Sequence, residues 1–280
     1  MNTKNTTQEL DGIAETLWIT LYIRAMETQR PDALIHDEKA VELVQRLSYD
    51  FSKIKQIQMD EMDRITLILR NRQFDCYVQD FLSRCPDGVV VHIGCGLDSR
   101  FERVDNGRVK WYDLDLPEVI EMRQKYLGGE QPRYHHLACS AFDLAWLDQV
   151  GGPSQQPYLF IAEGVFMYFP EAQVKSLVMA LHERFPGAEL AFDTFSPFLV
   201  WITNLRFSMT HYGARYHWSL KRGQELETWA SGIRLLGEWS YFDSPEPRLD
   251  PVRWMRRVPF WARVLCIYHY RLGSAGVKDS

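Results

Sequence analysis

The sequence predicts an α/β protein built on a mostly parallel, Rossmann-like sheet, with helices ahead of the sheet and a helical cap after its core. Three observations carry that prediction. Between residues 88 and 195, short β-branched or aromatic runs alternate with helical stretches, the pattern of βαβ units feeding a parallel sheet. The first run, Val89 to Ile93, is bounded by glycines, which suits a strand buried on both faces. On either side of this region the alternation is lost and the composition favours helices or an antiparallel edge.

Taken in order, Ile13 to Gln29 is amphipathic, with Ile13, Leu17, Leu21 and Ala25 at helical spacing. A second helix is expected from Asp37, a good N-cap, with Val41, Val44 and Leu47 on one face. A third runs from Asp60 to Arg84 and ends before the turn Pro86-Asp87-Gly88. Strands follow at Val89 to Ile93, Lys110 to Asp115, Tyr134 to Cys139, Tyr158 to Ala162 and Glu189 to Thr194, with helices at Pro117 to Tyr126 and Glu171 to Phe185. Phe198 to Trp218 is aromatic-rich and helical in part, and Gln224 to Ser231 reads as a short helix. Arg234 to Phe242 and Arg263 to Arg271 read as an antiparallel pair at the sheet edge, before a loose tail from Gly273. With no internal repeat or low-complexity linker, 280 residues make one domain. Its parts are a helical lead-in (1–87), an α/β core (88–195), a cap insert (196–232) and terminal edge strands (233–272).

The net charge of −5 gives no basic footprint for nucleic acid. Five widely spaced cysteines without zinc spacing suit free thiols in a reducing compartment. The polar amino terminus has no signal-peptide core, and no segment has the apolar length to cross a bilayer. A cytoplasmic chain without nucleic-acid or membrane partners is expected; oligomeric state is left open. Trp254-Met255-Arg256-Arg257 and Trp261-Ala262-Arg263 are read as flanking an edge hairpin, with arginine stems over apolar surface, ahead of an interfacial basic patch.

In such sheets a ligand sits beyond the carboxyl ends of the strands, at the switch in strand order. Gly94-Cys95-Gly96 stands where the first turn must let the backbone approach it. The next strand ends in Asp113-Leu114-Asp115, about 20 residues on, the distance at which a carboxylate reaches a ribose. Asp115 is favoured over Asp113, with helix capping as its other possible role. A nicotinamide dinucleotide wants a small third residue beside its pyrophosphate; here Asp98 and Ser99 occupy that stretch. Acidity there is better tolerated by a cofactor carrying a sulfonium and an amine, which favours S-adenosyl-L-methionine.

The string His92-Ile93-Gly94-Cys95-Gly96-Leu97-Asp98-Ser99-Arg100 resembles the leucine carboxyl methyltransferase family, as do Asp113 to Ile120 and Glu163-Gly164-Val165-Phe166-Met167-Tyr168-Phe169. Within it, the likeness is greater to the bacterial branch of tetracenomycin-type polyketide O-methyltransferases. Leu21 to Glu27, Asn71-Arg72 and Gln224 to Trp229 extend it over nearly the whole chain. The resemblance implies a class I methyltransferase fold with a seven-stranded sheet, and methyl transfer to an oxygen, usually of a carboxylate. It implies that Arg72 binds the methionine carboxylate, Gly94, Cys95 and Gly96 lie along the cofactor, Asp115 and Leu116 meet the ribose side, and Glu163 meets the amine. Two departures stand out. His92 occupies a position often acidic in class I enzymes, and Ser140-Ala141 replaces an aspartate-leucine pair at the adenine side, with Asp143 close behind.

Methyl transfer mainly needs alignment of acceptor oxygen and methyl carbon. A carboxylate needs no base, whereas a phenol needs its proton removed. Tyr168 is expected to line the reaction centre, and Arg206 or Arg215 to receive an acceptor carboxylate. Arg24, Trp201, Met209, Tyr212 and Tyr216 are the candidate substrate wall, for a small acid or phenol. His211 and His217 belong to no motif, and no metal is required. Two other readings are an NAD-dependent oxidoreductase and a noncatalytic adenosyl-ligand-binding relative.

Overall fold

The computed structural model describes residues 17–47, 49, 51, 59–151, 156–205 and 215–273, and over 206–210 the helix backbone alone. Helices over 17–28 (α1), Glu38–Arg46 (α2) and Glu61–Arg84 (α3) lead into strand β1 (Val89–Ile93). Then follow α4 (Arg100–Val104), β2 (Lys110–Asp115), α5 (Pro117–Tyr126), β3 (Tyr134–Ala138), α6 (Trp146–Val150) and β4 (Tyr158–Ala162). The chain continues through α7 (Glu171–Arg184), β5 (Ala188–Phe195), α8 (Pro197–Thr210), β6 (Ile233–Ser240), α9 (Pro259–Ala262) and β7 (Leu265–Leu272).

The seven strands run in the order β3-β2-β1-β4-β5-β7-β6. The first five pair in parallel, while β7 enters antiparallel between β5 and β6. Alternation along each strand builds two cores. Val90, Trp111, Leu159, Ile161, Ala191 and Ile267 face Phe74, Val78 and Phe81 of α3. Val89, Val91, Tyr112, Phe160 and Phe192 face the other layer, where Val174, Leu177 and Leu181 of α7 pack with Trp146 and Trp218. Both faces are covered, as a parallel sheet requires.

Several expectations meet particular structures. Asp37 caps α2, accepting from Ala40 N–H, and Asp60 with Asp63 forms a capping box on α3. On α2 the buried residues are Ala40 and Leu43, with Val41, Val44 and Leu47 packed at the margin, so the helix is rotated from the expected face. The expected helix at Gln224 to Ser231 is a 3-10 segment, Gly223–Thr228. A second one, Pro247–Arg257, went unforeseen; Pro251 inside it removes the N–H an α-helix would need. Ile13 and the tail beyond Gly273 lie outside the described residues.

Glu189 ties the two ends of this fold together. Its carboxylate accepts from Arg84 at the end of α3 (2.8 and 3.0 Å) and contacts His269 on β7 (2.9 Å). Burial alone would raise its pKa, but His269 and Arg84 outweigh that and bring it down to about 2. The folded value lies below the unfolded one of about 4.3, so this stabilisation is complete above that pH and is lost as pH falls towards 2. Chemical denaturation should find Glu189→Gln less stable by about 2 kcal/mol at neutral pH. Between pH 5 and 3 the gap should narrow; an unchanged gap would disprove the linkage.

Candidate active site

Strand order reverses beside β1, which has β2 on one side and β4 on the other. Ile93 is in register with both Leu114 and Ala162. Gly94 and Glu163, which follow β1 and β4, and Asp115, the last residue of β2, therefore emerge side by side at the switch point where ligands of such sheets bind. Gly94 and Gly96 adopt φ of +66° and +51°. A Cβ on Gly94 would overlap a Val165 methyl, so this turn accepts only glycine. Asp115 accepts from Gly96 N–H and Leu116 N–H, each at 2.8 Å. Burial raises its pKa against the pull of those two donors.

Around the turn lies a connected cluster of buried charge. Glu163 accepts from Arg70 Nε at 2.9 Å and Arg100 Nη2 at 2.5 Å. Asp98 accepts from Asn71 (2.9 Å) and Arg103 (2.8 Å), with Arg100 at 3.1 Å. Asp75 binds Arg100 and Arg103, and Asp193 meets Arg70 at 3.3 Å while accepting from Gly164 N–H at 2.6 Å. Asp37 joins through Arg24 (2.9 Å) and Arg103 (3.0 Å). Burial opposes the charge on Glu163 and Asp98, yet the facing arginines hold both carboxyls below the usual range. The cluster has four guanidiniums (24, 70, 100, 103) and five carboxylates (37, 75, 98, 163, 193), leaving one net negative charge.

The structure brings Gly94, Cys95, Gly96, Asp115, Leu116 and Glu163 together, and Tyr168 with Tyr216. Those two rings lie 5.1 Å apart and their hydroxyls share a hydrogen bond. Burial raises both phenol pKa values, so they stay protonated near neutrality. Ser140 is exposed and Ala141 half-buried after β3. Asp143, also exposed, accepts from Ala145 N–H (3.3 Å) ahead of α6, and Ser140 Oγ accepts from Phe142 N–H (3.3 Å).

Other placements are corrections. Arg72 is exposed and has no ion pair among the described residues; Arg70, about 200° around the helix, is the arginine that reaches Glu163. The helical phase carries that signal, because Arg70 precedes the sheet-facing Phe74 and Val78 by four and eight residues. Arg24, expected in a substrate wall, is buried on Asp37 and donates to Leu97 O at 2.7 Å. Asp113 is closed off by Arg123, Tyr134 and Trp111, and Arg123 in turn donates to Gly96 O and Asp98 O. Asp98, met by arginines, presents no bare charge to a ligand, and Ser99 donates to Asp37. Trp201 is 61% exposed, and Arg215 and His217 are exposed. Tyr212, His211 and the side chains of Arg206 and Met209 lie outside the described residues. Asp193 and Tyr241, a buried phenol near Arg70, carried no motif in the sequence. A cavity of about 370 Å³ between α1, α3 and Arg248 shares none of these residues.

The leucine carboxyl methyltransferase family profile matches residues 18–182. The tetracenomycin polyketide synthesis O-methyltransferase of Streptomyces glaucescens is 35% identical over 240 residues, covering 85% of this chain and 87% of that protein. An S-adenosyl-L-methionine-dependent methyltransferase of Gibberella zeae is 28% identical over 242 residues, covering 80% and 81% of the two chains. The crystal structure of a putative methyltransferase from Thermobifida fusca shares the fold, with a TM-score of 0.58, 15% identity and coverage of 90% and 94%.

The turn geometry predicts a paired result. Gly94→Ala should lower stability by about 1–3 kcal/mol and weaken adenosyl-ligand binding in calorimetry. Adding Val165→Ala should relieve the overlap and recover part of the loss; no recovery would show that backbone conformation alone is responsible.

Proposed function

This chain belongs to the leucine carboxyl methyltransferase family, and from that premise we propose that it transfers a methyl group from S-adenosyl-L-methionine to a carboxylate oxygen of a small, polyketide-like acid. The observation that carries the reading is the Arg70–Glu163 ion pair beside the glycine turn. The pair is the complement of an amino-acid zwitterion, with Arg70 suited to the methionine carboxylate and Glu163 to its ammonium. The net negative charge of the cluster also fits the donor, whose sulfonium, ammonium and carboxylate sum to one positive charge. A dinucleotide pyrophosphate would add negative charge to a cluster already negative.

The donor supplies a sulfonium-bound methyl, open to in-line displacement by an oxygen. The chain's own residues bind, orient and exclude water. Asp115 keeps free lone pairs beyond its two backbone bonds for ribose hydroxyls. Tyr168, donating or accepting through Tyr216, is suited to orient an acceptor oxygen. Glu163 and Asp193 are paired with arginine and the two phenols are protonated, so none of these four groups is suited to take a proton. That favours an acceptor ionised in solution, a carboxylate over a phenol.

Titration should show S-adenosylmethionine and its demethylated product binding and NAD failing to bind. Arg70→Met should raise the donor KM by about tenfold to a hundredfold, the loss of a charge-assisted hydrogen bond, while Arg72→Ala stays within twofold of the parent. Equal effects at the two positions would return the role to Arg72. Across an acceptor panel, methyl esters of aromatic and aliphatic acids should form with a flat rate between pH 6 and 9. Phenol methylation exceeding ester formation would overturn the carboxylate reading, and binding without any turnover would point to a noncatalytic relative.

A further inference from the structure

The molecule carries a second surface that the site above does not use. Trp201, Trp254 and Phe260 are 61%, 54% and 52% exposed, joined by Phe198, Leu205 and Val258. These side chains come from α8, the Pro247–Arg257 segment and α9, yet their rings form one patch. Phe198 lies 6.3 Å from Trp201 and 5.2 Å from Phe260, and Trp261 lies 5.1 Å from Phe260 and 6.4 Å from Trp254. Contiguous exposed apolar surface of this kind marks an interaction site. Between Phe198 and Phe260 runs an open cleft of about 350 Å³, bounded by Lys221 and Arg263.

Cations without an acidic partner flank the patch, while the Glu225 carboxylate beside Lys221 accepts from the Lys221 and Arg222 backbone N–H groups. Arg256 and Arg257 are exposed, and neither they nor the Lys221 ammonium has an acidic partner among the described residues. Arg263 is paired with Glu238 at 3.1 Å, and nearby Asp250 is taken by Arg253 at 2.7 Å. A chain of net charge −5 has therefore gathered unpaired cations around its exposed rings.

We propose that this face seats the protein peripherally on an anionic phospholipid bilayer, with Trp201, Trp254 and Phe260 at headgroup depth and Lys221, Arg256 and Arg257 against the phosphates. Tryptophan rings favour that interface, and basic residues beside them add electrostatic attraction to an anionic leaflet. Self-pairing is the poorer fit, because two copies meeting symmetrically on this face would bring unpaired arginines together. No helix among the described residues is long and apolar enough to cross a membrane, so the contact is superficial. It departs from the expectation of no membrane partner and does not rest on the methyltransferase reading. α8 follows directly from β5, whose Asp193 belongs to the charge cluster. A bilayer seated here thus lies against the cap, where a lipophilic acid would arrive.

Flotation of the full chain with vesicles tests this. Binding is expected to phosphatidylcholine mixed with phosphatidylglycerol and not to phosphatidylcholine alone. It should be accompanied by a blue shift of tryptophan emission and be lost in about 1 M salt, where screening acts within about 3 Å. The double variant Arg256→Gln/Arg257→Gln should partition about thirtyfold more weakly, each arginine near an anionic surface contributing about fivefold. Trp254→Ala/Phe260→Ala should abolish binding. Both should keep the parent Tm, and Leu236→Ser, an exposed position on β6, should bind like the parent. Absence of flotation with anionic vesicles, or equal binding to neutral ones, overturns the proposal. So does a concentration-dependent dimer in light scattering that Trp254→Ala/Phe260→Ala dissolves, which would assign the face to self-association.

Discussion

The glycine turn after β1 is held by buried charge, and the rest of the site depends on that restraint. Arg123 reaches from α5 to donate to Gly96 O at 2.7 Å and Asp98 O at 2.8 Å, and is itself fixed by Asp113 and Tyr134. On the other side Arg100, Arg103 and Asn71 hold the Asp98 carboxylate. Two carbonyls, those of Gly96 and Asp98, and one side chain of the turn are thus pinned from two directions. Removing one partner of a buried pair typically costs about 3–5 kcal/mol, a large share of the margin by which a domain is stable. The turn therefore keeps its positive-φ glycines in place without help from a ligand.

The same lattice explains why the helical lead-in belongs to the site. Asp37 caps α2 through Ala40 N–H and also accepts from Arg24, Arg103 and Ser99. Arg24 completes the link by donating to Leu97 O, while Leu17, Leu21 and Ala25 of α1 pack over the turn. Position of α1, capping of α2 and shape of the glycine turn are one problem with one solution. A mutation at Asp37 disturbs all three, although it touches no residue suited to contact the donor.

The parallel sheet was legible because short strand-like runs alternate with helical stretches, and the first of them is continuously apolar; Gly94 was legible as the turn after that run and Asp115 from its distance to the glycines, while Glu163 came with the family resemblance. The two arginines part in the fold for a physical reason. Arg70 and Arg72 are equally basic, and only the helical phase set by Phe74 and Val78 separates the buried one from the exposed one. A buried ion pair and a ligand contact use the same residue types, as Arg24 on Asp37 shows; which one a carboxylate serves depends on partners far away in sequence, as Asp113 with Arg123 and Tyr134 shows. Asp193 was invisible, a single acid in an apolar strand whose meaning lies in Arg70 and the Gly164 N–H.

The two halves of the site are made of different materials. The donor side consists of paired charges and backbone, where a change of one residue leaves a buried ion without its partner. Among the described residues the cap presents rings and an amide clamp, Asn204 exchanging hydrogen bonds with the Tyr216 backbone at 2.8 and 2.9 Å. Phe195, Tyr168 and Tyr216 meet there through ring contacts, which tolerate exchange of one apolar shape for another at modest cost. A family built this way can hold its methyl donor constant while the acceptor wall drifts. That asymmetry is why the donor follows from the residues around Gly94, whereas those residues leave the acceptor open.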